Sequence, residues 1–165
     1  MATLITTNDV REICLNKATF DVAKFQPFLK PAEITFLKPF LGRDLYNELV
    51  AESDSTFSEA NEELFKYLKP ALAWKTLELA LPSMHTDITS SGLKLNNSEF
   101  ANSGTDKSRA DLITNAKQIA EAFLEDAKEF IEDEDNIDTY PLYEKDGNVS
   151  NDINLIGGMI LDDND

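Results

Sequence analysis

The residues able to do chemistry are few and far apart. His85 is the only histidine and Cys14 the only cysteine. A zinc site or a nucleophilic triad needs a second imidazole or thiol close by, and the chain contains no H-x-x-H or C-x-x-C. His85 therefore reads as a helix-end or loop residue, and Cys14, between Ile13 and Leu15, as a small packing residue that forms no intramolecular disulfide. The acidic run Glu132-Asp133-Glu134-Asp135 with Asp138 invites a calcium loop. Started at Asp133, Asp135 falls on a ligand position, but Ile137 then stands where an oxygen is needed and Asp138 where glycine is needed. The run reads instead as a solvated helix end. The phosphate and nucleophile signatures G-x-x-x-x-G-K-[ST], G-x-G-x-x-G and G-x-S-x-G are absent, and Gly157-Gly158 sits between Ile156 and Met159 with no basic residue to hold a phosphate. With 31 acids in the chain, paired carboxylates carry no message about glycoside hydrolysis. Trp74, Phe65 and Tyr67 on one long helix read as core packing, not a cofactor pocket. The expectation is a protein that is not an enzyme, with no catalytic, cofactor-binding or metal-binding residues.

Charge sharpens that expectation. The net charge is −16, and it is unevenly placed. Residues 1–50 carry six basic and six acidic groups, residues 51–120 seven and ten, and residues 121–165 two and fifteen: 0, −3 and −13. Such a surface repels phosphate backbones, so specific nucleic-acid binding is not expected, although a DNA conduit benefits from a wall that does not hold phosphate. The N-terminus MATLITTNDVREI lacks the basic region and long apolar core of a signal peptide, and no apolar run approaches the roughly 20 residues needed to cross a bilayer. A soluble protein made in a reducing cytosol is expected.

The elements that must position these residues are helical. The tripeptide Leu-Lys-Pro occurs at 29–31, 37–39 and 68–70, each time after an aromatic residue: Phe28, Phe36 and Tyr67. The spacings share no period, so these are bend points, not a repeat. Asn8 or Thr7 can cap a first short helix, Asn16-Lys17-Ala18-Thr19 forms a turn, and a second helix starts near Asp21. Pro31 suits a first helical turn, where its missing N–H is no loss. Ile34, Leu37 and Leu41 make an apolar stripe; Pro39 kinks or ends that helix, and Gly42 supplies the corner before a helix from Arg43. Ser58 caps a long helix to about Leu81, which Pro70 bends or splits and Pro82 ends. Residues 86–104 form a β-hairpin turning near Ser91-Gly92, or an irregular arm. Leu112, Ala116, Ile119, Ala120, Phe123, Ala127, Phe130 and Ile131 recur at helical spacing in a helix from about Asp106. The run Glu132–Asp135 opposes its dipole, and Ile137–Tyr143 reads as an extended linker with aromatic anchors around Pro141. The fold class is all-α: a compact bundle of short and long helices over residues 1–143, with a small extended or β arm and an extended C-terminal tail over 144–165. Ile153, Leu155, Ile156, Met159, Ile160 and Leu161 make that tail too apolar for an ordinary solvated terminus. It either packs on its own domain or adds a strand to a neighbour's edge. With Ile88, Leu93 and Leu95 of the arm, these six are the expected partner contacts.

Phe36-Leu37-Lys38-Pro39-Phe40-Leu41-Gly42, followed by Leu45-Tyr46-Asn47-Glu48-Leu49, then Tyr67-Leu68-Lys69-Pro70-Ala71-Leu72-Ala73, Ile88-Thr89-Ser90-Ser91-Gly92 and Tyr140-Pro141-Leu142-Tyr143, make a series in fixed order. In this series, over roughly residues 20–143, the chain resembles head–tail connector (neck adaptor) proteins of tailed bacteriophages of Bacteroidota, crAss-like phages included. The resemblance implies an all-helical core with a projecting arm, found in the virion after synthesis in the host cytoplasm. It implies a ring of copies of the chain, often twelve, between the portal protein and further neck and tail proteins. It carries over no catalytic residue, and the tail from Gly147 lies outside it. The expected function is a structural ring subunit around the DNA passage. The alternative, from charge alone, is a soluble acidic helical binding module or assembly chaperone for a basic partner.

Overall fold

A computed structural model of the chain describes residues 3–15, 22–89, 92–95 and 106–143, with side chains for 3–15, 22–83 and 110–143. The expected turn at 16–19, the arm beyond Leu95 as far as 104, and the tail lie outside the described residues. The architecture is all-α with one small hairpin. Helices α1 (Thr7–Cys14) and α2 (Gln26–Ala32), the latter entered through a 3-10 turn at Val22–Phe25, precede a π-helical segment at Glu33–Leu37. Then come α3 (Lys38–Leu41), α4 (Arg43–Ser53), α5 (Glu59–Ala80), a 3-10 turn at Leu81–His85, strands β1 (Thr86–Thr89) and β2 (Gly92–Leu95), and α6 (Asp106–Glu132). The 22 residues of α5 form the axis of the bundle, packed chiefly against α6 and also against α1 and α2.

The three Leu-Lys-Pro copies explain much of this packing. Leu29, Leu37 and Leu68 are all fully buried in one core. Deleting any of them to alanine is expected to destabilise the fold by about 2–5 kcal/mol. The prolines behave differently from one another. Pro70 lies within α5, which runs on without a break; the burial of Leu68, Ala71, Leu72 and Ala73 around it offsets the missing hydrogen bond. Pro39 stands in the first turn of α3, just after the π segment, in which the Lys38 N–H bonds to Glu33 O five residues back. Widening the helix there relieves the proline ring's clash with the preceding turn. Pro31, expected in a first turn, lies inside α2 instead; that helix starts at Gln26, with Pro27 in its first turn, because Phe25, Leu29 and Ala32 bury one continuous side. Gly42 makes the corner into α4 with φ 80° and ψ 171°, a backbone conformation essentially reserved for glycine.

Four further expectations are corrected. The α1 cap is Thr6, not Thr7 or Asn8: its hydroxyl accepts from Asp9 N–H, and the Asp9 carboxylate accepts from Thr6 N–H at 2.7 Å, a closed capping box. Ile34 is 50% exposed, and Glu33 takes the inward place beside Leu37, because the π turn inserts an extra residue and rotates the stripe. Leu112 is 57% exposed although it continues the stripe of Ala116 and Ala120. Contacts from early α5 to the far end of α6 (Tyr67 to Phe130) make the pair antiparallel, and the 27-residue α6 outruns the 22-residue α5 at the Leu112 end. Finally, Tyr140–Tyr143 is a tight turn, closed by Tyr143 N–H to Tyr140 O at 3.0 Å, with Pro141 at the position that favours it.

Candidate functional site

Glu33 is fully buried, on the π segment, and is the most unusual polar group in the bundle. Its carboxylate accepts from Leu4 N–H at 2.6 Å, Lys30 Nζ at 2.7 Å and Tyr46 OH at 3.1 Å, while Lys30 Nζ also reaches Tyr46 Oη at 2.9 Å. Lys30 and Lys38 both lie over the Tyr46 ring, at 5.5 and 5.7 Å. Burial opposes the charge on Lys30, but its bonds to Glu33 and Tyr46 outweigh this and hold its ammonium above the usual range. Burial, helped by the nearby Glu33 charge, pushes the Tyr46 hydroxyl up. A carboxylate, an amine and a phenol together have the makings of acid–base chemistry. Here all three are turned on one another, and Glu33 has no exposed surface for a substrate to meet. The cluster ties the N-terminal segment, α2, the π segment and α4 together.

Two other ties secure neighbouring helices. Lys69, from the third Leu-Lys-Pro copy, bridges to Asp9 at 2.6 Å and links α5 to α1. Burial disfavours the Asp9 charge, but the bonds from Lys69 and Thr6 prevail and hold its carboxyl below the usual range. Asn61, buried at the start of α5, donates to Glu48 at 2.8 Å and Glu52 at 2.9 Å on α4. That bond and the Ser58 N–H hold Glu52 below the usual carboxylate range. Cys14 is half-buried, and burial pushes its thiol up to about 12, so it packs and does not react.

Two open grooves adjoin the turn after α6. Tyr140 is buried and donates to Ala60 O at 2.7 Å, pinning the turn after α6 onto the start of α5. Phe130 stacks on Tyr67 at 4.4 Å and stands 6.0 Å from Tyr140. Tyr143 lies 5.7 Å from Phe40. Beside it a groove of about 320 Å³ opens between Pro39 and Phe40 of α3 and Leu124 of α6, rimmed by Glu121, Glu125 and Lys128. A second groove, about 250 Å³, runs past Tyr140, Pro141 and Leu142 to Leu45, Glu48 and Asn61. Around them Glu121, Glu125, Asp126, Glu129, Asp133, Glu134, Asp135 and Asp138 are exposed.

Of the expected contact residues, Ile88, Leu93 and Leu95 come together in one antiparallel hairpin, with Ile88 opposite Leu93 and Thr86 opposite Leu95. The last described pair is Thr89 with Gly92, and Ser90 and Ser91 lie outside the described residues. Ile153, Leu155, Ile156, Met159, Ile160 and Leu161 lie outside the described residues. Among the described residues no group of three or more His, Cys, Asp or Glu could hold a metal ion, and no helix is long and apolar enough to cross a membrane. Sequence reasoning missed the Glu33 cluster and the Phe40–Leu124–Tyr143 groove. The available signal for the first was position: Glu33 stands four residues after buried Leu29 and four before buried Leu37, on the core stripe.

No curated protein matches the chain, and no solved structure matches it. A family model does match, over residues 37–153, from the end of the π segment through α3–α6 and past Tyr143; Tyr46 of the buried cluster lies within it, Lys30 and Glu33 before it. That match covers more than half of the chain, which therefore belongs to DUF6712, a family of unknown function.

Proposed function

We propose that the chain is a structural virion protein, a subunit of an oligomeric neck ring that joins the capsid portal to the tail around the DNA passage, and that it performs no catalysis. The observation that carries this reading is the hairpin β1–β2, set between the two longest helices, α5 and α6. Its main contact outside itself is the adjoining 3-10 turn. A two-stranded hairpin with so little support is marginal in water and gains most from a partner strand or surface. The resemblance puts an arm at this point of the chain, after the glycine corner and the third Leu-Lys-Pro and before the Tyr-Pro-Leu-Tyr turn. In this reading the helical core makes side-to-side contacts between copies, often twelve, and the hairpin and C-terminal tail reach neighbours or the next ring. The exposed acids after residue 120 suit a wall beside DNA that does not grip it. Imaging of assembled particles tests the reading: density for this chain belongs between portal and tail, and its absence from that ring sinks the idea.

The same exposed acids favour a second reading, an acidic binding module or assembly chaperone for a basic partner. Its signature is a soluble one-to-one complex that dissolves with salt and is absent from finished particles.

A further inference from the structure

We infer that the groove formed by Phe40, Leu124 and Tyr143 seats the chain's own C-terminal segment, residues 153–161, in the free subunit. The groove has an apolar wall and, at about 320 Å³, is at the small end of the range for cavities that bind ligands. The described chain ends at this spot: Tyr143, its last described residue, lines the groove and lies 5.7 Å from Phe40. The composition of the C-terminal segment suits an apolar seat. From Ile153 to Leu161 the sequence reads INLIGGMIL, without an ionisable side chain between Asp152 and Asp162.

Reach decides in favour of the chain's own segment. Residues 144–152 separate Tyr143 from Ile153 and span at most about 35 Å when extended, so the segment stays tethered within reach of the groove. Its effective concentration there is of order millimolar, far above that of a second copy in dilute solution. Charge predicts a distinctive salt response. At the rim Glu121 and Glu125 outnumber Lys128, so the acidic balance faces a segment flanked by Asp152 and Asp162; the contact is apolar against net like charge, and salt strengthens it. A basic partner in the same groove would be weakened by salt. This seating belongs to the free chain and stands or falls independently of the neck-ring reading.

Disulfide trapping in the full chain tests it, on a Cys14→Ala background. Lys128→Cys at the groove rim is paired with Ile156→Cys in the tail. The control pairs Ile156→Cys with Lys66→Cys, an exposed site at the same end of the bundle, next to Tyr67, which stacks on Phe130. The expected result is an intrachain disulfide forming about tenfold faster at Lys128→Cys than at Lys66→Cys. It should form faster still in 0.5 M salt (an order-of-magnitude choice, about three times physiological) and slow down when Leu124→Asp is added. Unaltered circular dichroism melts show that each variant is folded. Equal rates at the two sites, or indifference to Leu124→Asp, overturn the inference. Disulfide-linked dimers as the main product also overturn it, since the occupant is then a second copy's tail.

Discussion

The chain handles charge in two opposite ways. Around the fully buried Glu33, acid, amine, phenol and backbone N–H are brought to within about hydrogen-bonding distance of each other, with Lys30 alone reaching partly to water. Along the second half of α6 and the turn after it, acid follows acid on an exposed surface, with Lys128 the one basic residue between 121 and 143. Removing one member of a matched buried set strands the others, whereas removing one of many solvated like charges relieves repulsion. The first region thus uses charge to hold four segments in register, and the second leaves it on display for whatever passes or docks.

The sharpest test of the contrast is Glu33→Ala. It leaves Lys30, Tyr46 and the Leu4 N–H without their shared acceptor, and a loss of about 3–5 kcal/mol in urea unfolding is expected. Glu129→Ala, on the exposed face of α6, should move the same midpoint by less than about 0.5 kcal/mol. Equal shifts would erase the distinction between the two regions.

Gly42→Ala attacks the buried cluster from a distance. At φ 80° and ψ 171° any Cβ is strained, and a loss of about 1–3 kcal/mol is expected. Tyr46 sits in the first turn after this corner, its N–H aimed at Gly42 O at 3.4 Å, so the substitution should also displace the hydroxyl from Glu33. Loss of Tyr46 fluorescence change on raising the pH, with Glu33→Gln as reference, separates that displacement from simple strain.

The corner was legible in the sequence, and so were buried Leu37 and Leu41, the Ser58 cap and the course of α5 and α6, because each rests on local chemistry or on a periodic stripe. Glu33 was not. Its place on the stripe between Leu29 and Leu37 was there to read, but a glutamate two residues after a proline looks like any of 31 acids, and the π turn that leaves Ile34 outward is not written in the residue spacing. The groove was hidden for a related reason. Phe40, Leu124 and Tyr143 come from three separate stretches, and only the antiparallel α5–α6 pairing and the Tyr140 anchor bring them together.

Tyr140→Phe probes the seam between the two regions. It removes the bond to Ala60 O and should cost about 1 kcal/mol, loosening the acidic turn from α5 without touching Glu33. The pH response carries the same division. Lys30 and Tyr46 are both raised above their ordinary values of 10.5 and 10.0, so the folded state holds their protons more tightly. Their contribution is complete below those values and is lost as the pH rises through the folded ones. Asp9 is lowered from 3.8, so its contribution is present above that value and is lost as the pH falls below it. Lys30→Met should therefore lower the melting temperature at neutral pH and flatten its alkaline fall, and Asp9→Asn should lower it and flatten its acid fall, each leaving the other limb in place.

The smallest effect on stability is expected where the charge is densest. Glu125→Gln, Glu129→Gln and Glu134→Gln together remove three exposed acids from the last turns of α6 and the turn after it, where the helix dipole already disfavours them. The melting temperature should hold or rise slightly at low salt, and the difference should vanish as salt screens the repulsion. Of the three, Glu125 makes only an exposed pair with Lys128 at 3.8 Å, worth little in water, so their main effect should appear outside the fold. In the ring reading, a triple variant that folds and assembles normally but slows DNA passage marks the acids as facing the channel. A variant that melts several degrees lower would instead assign them a structural tie like that of Glu33, and the contrast between the two regions would be lost.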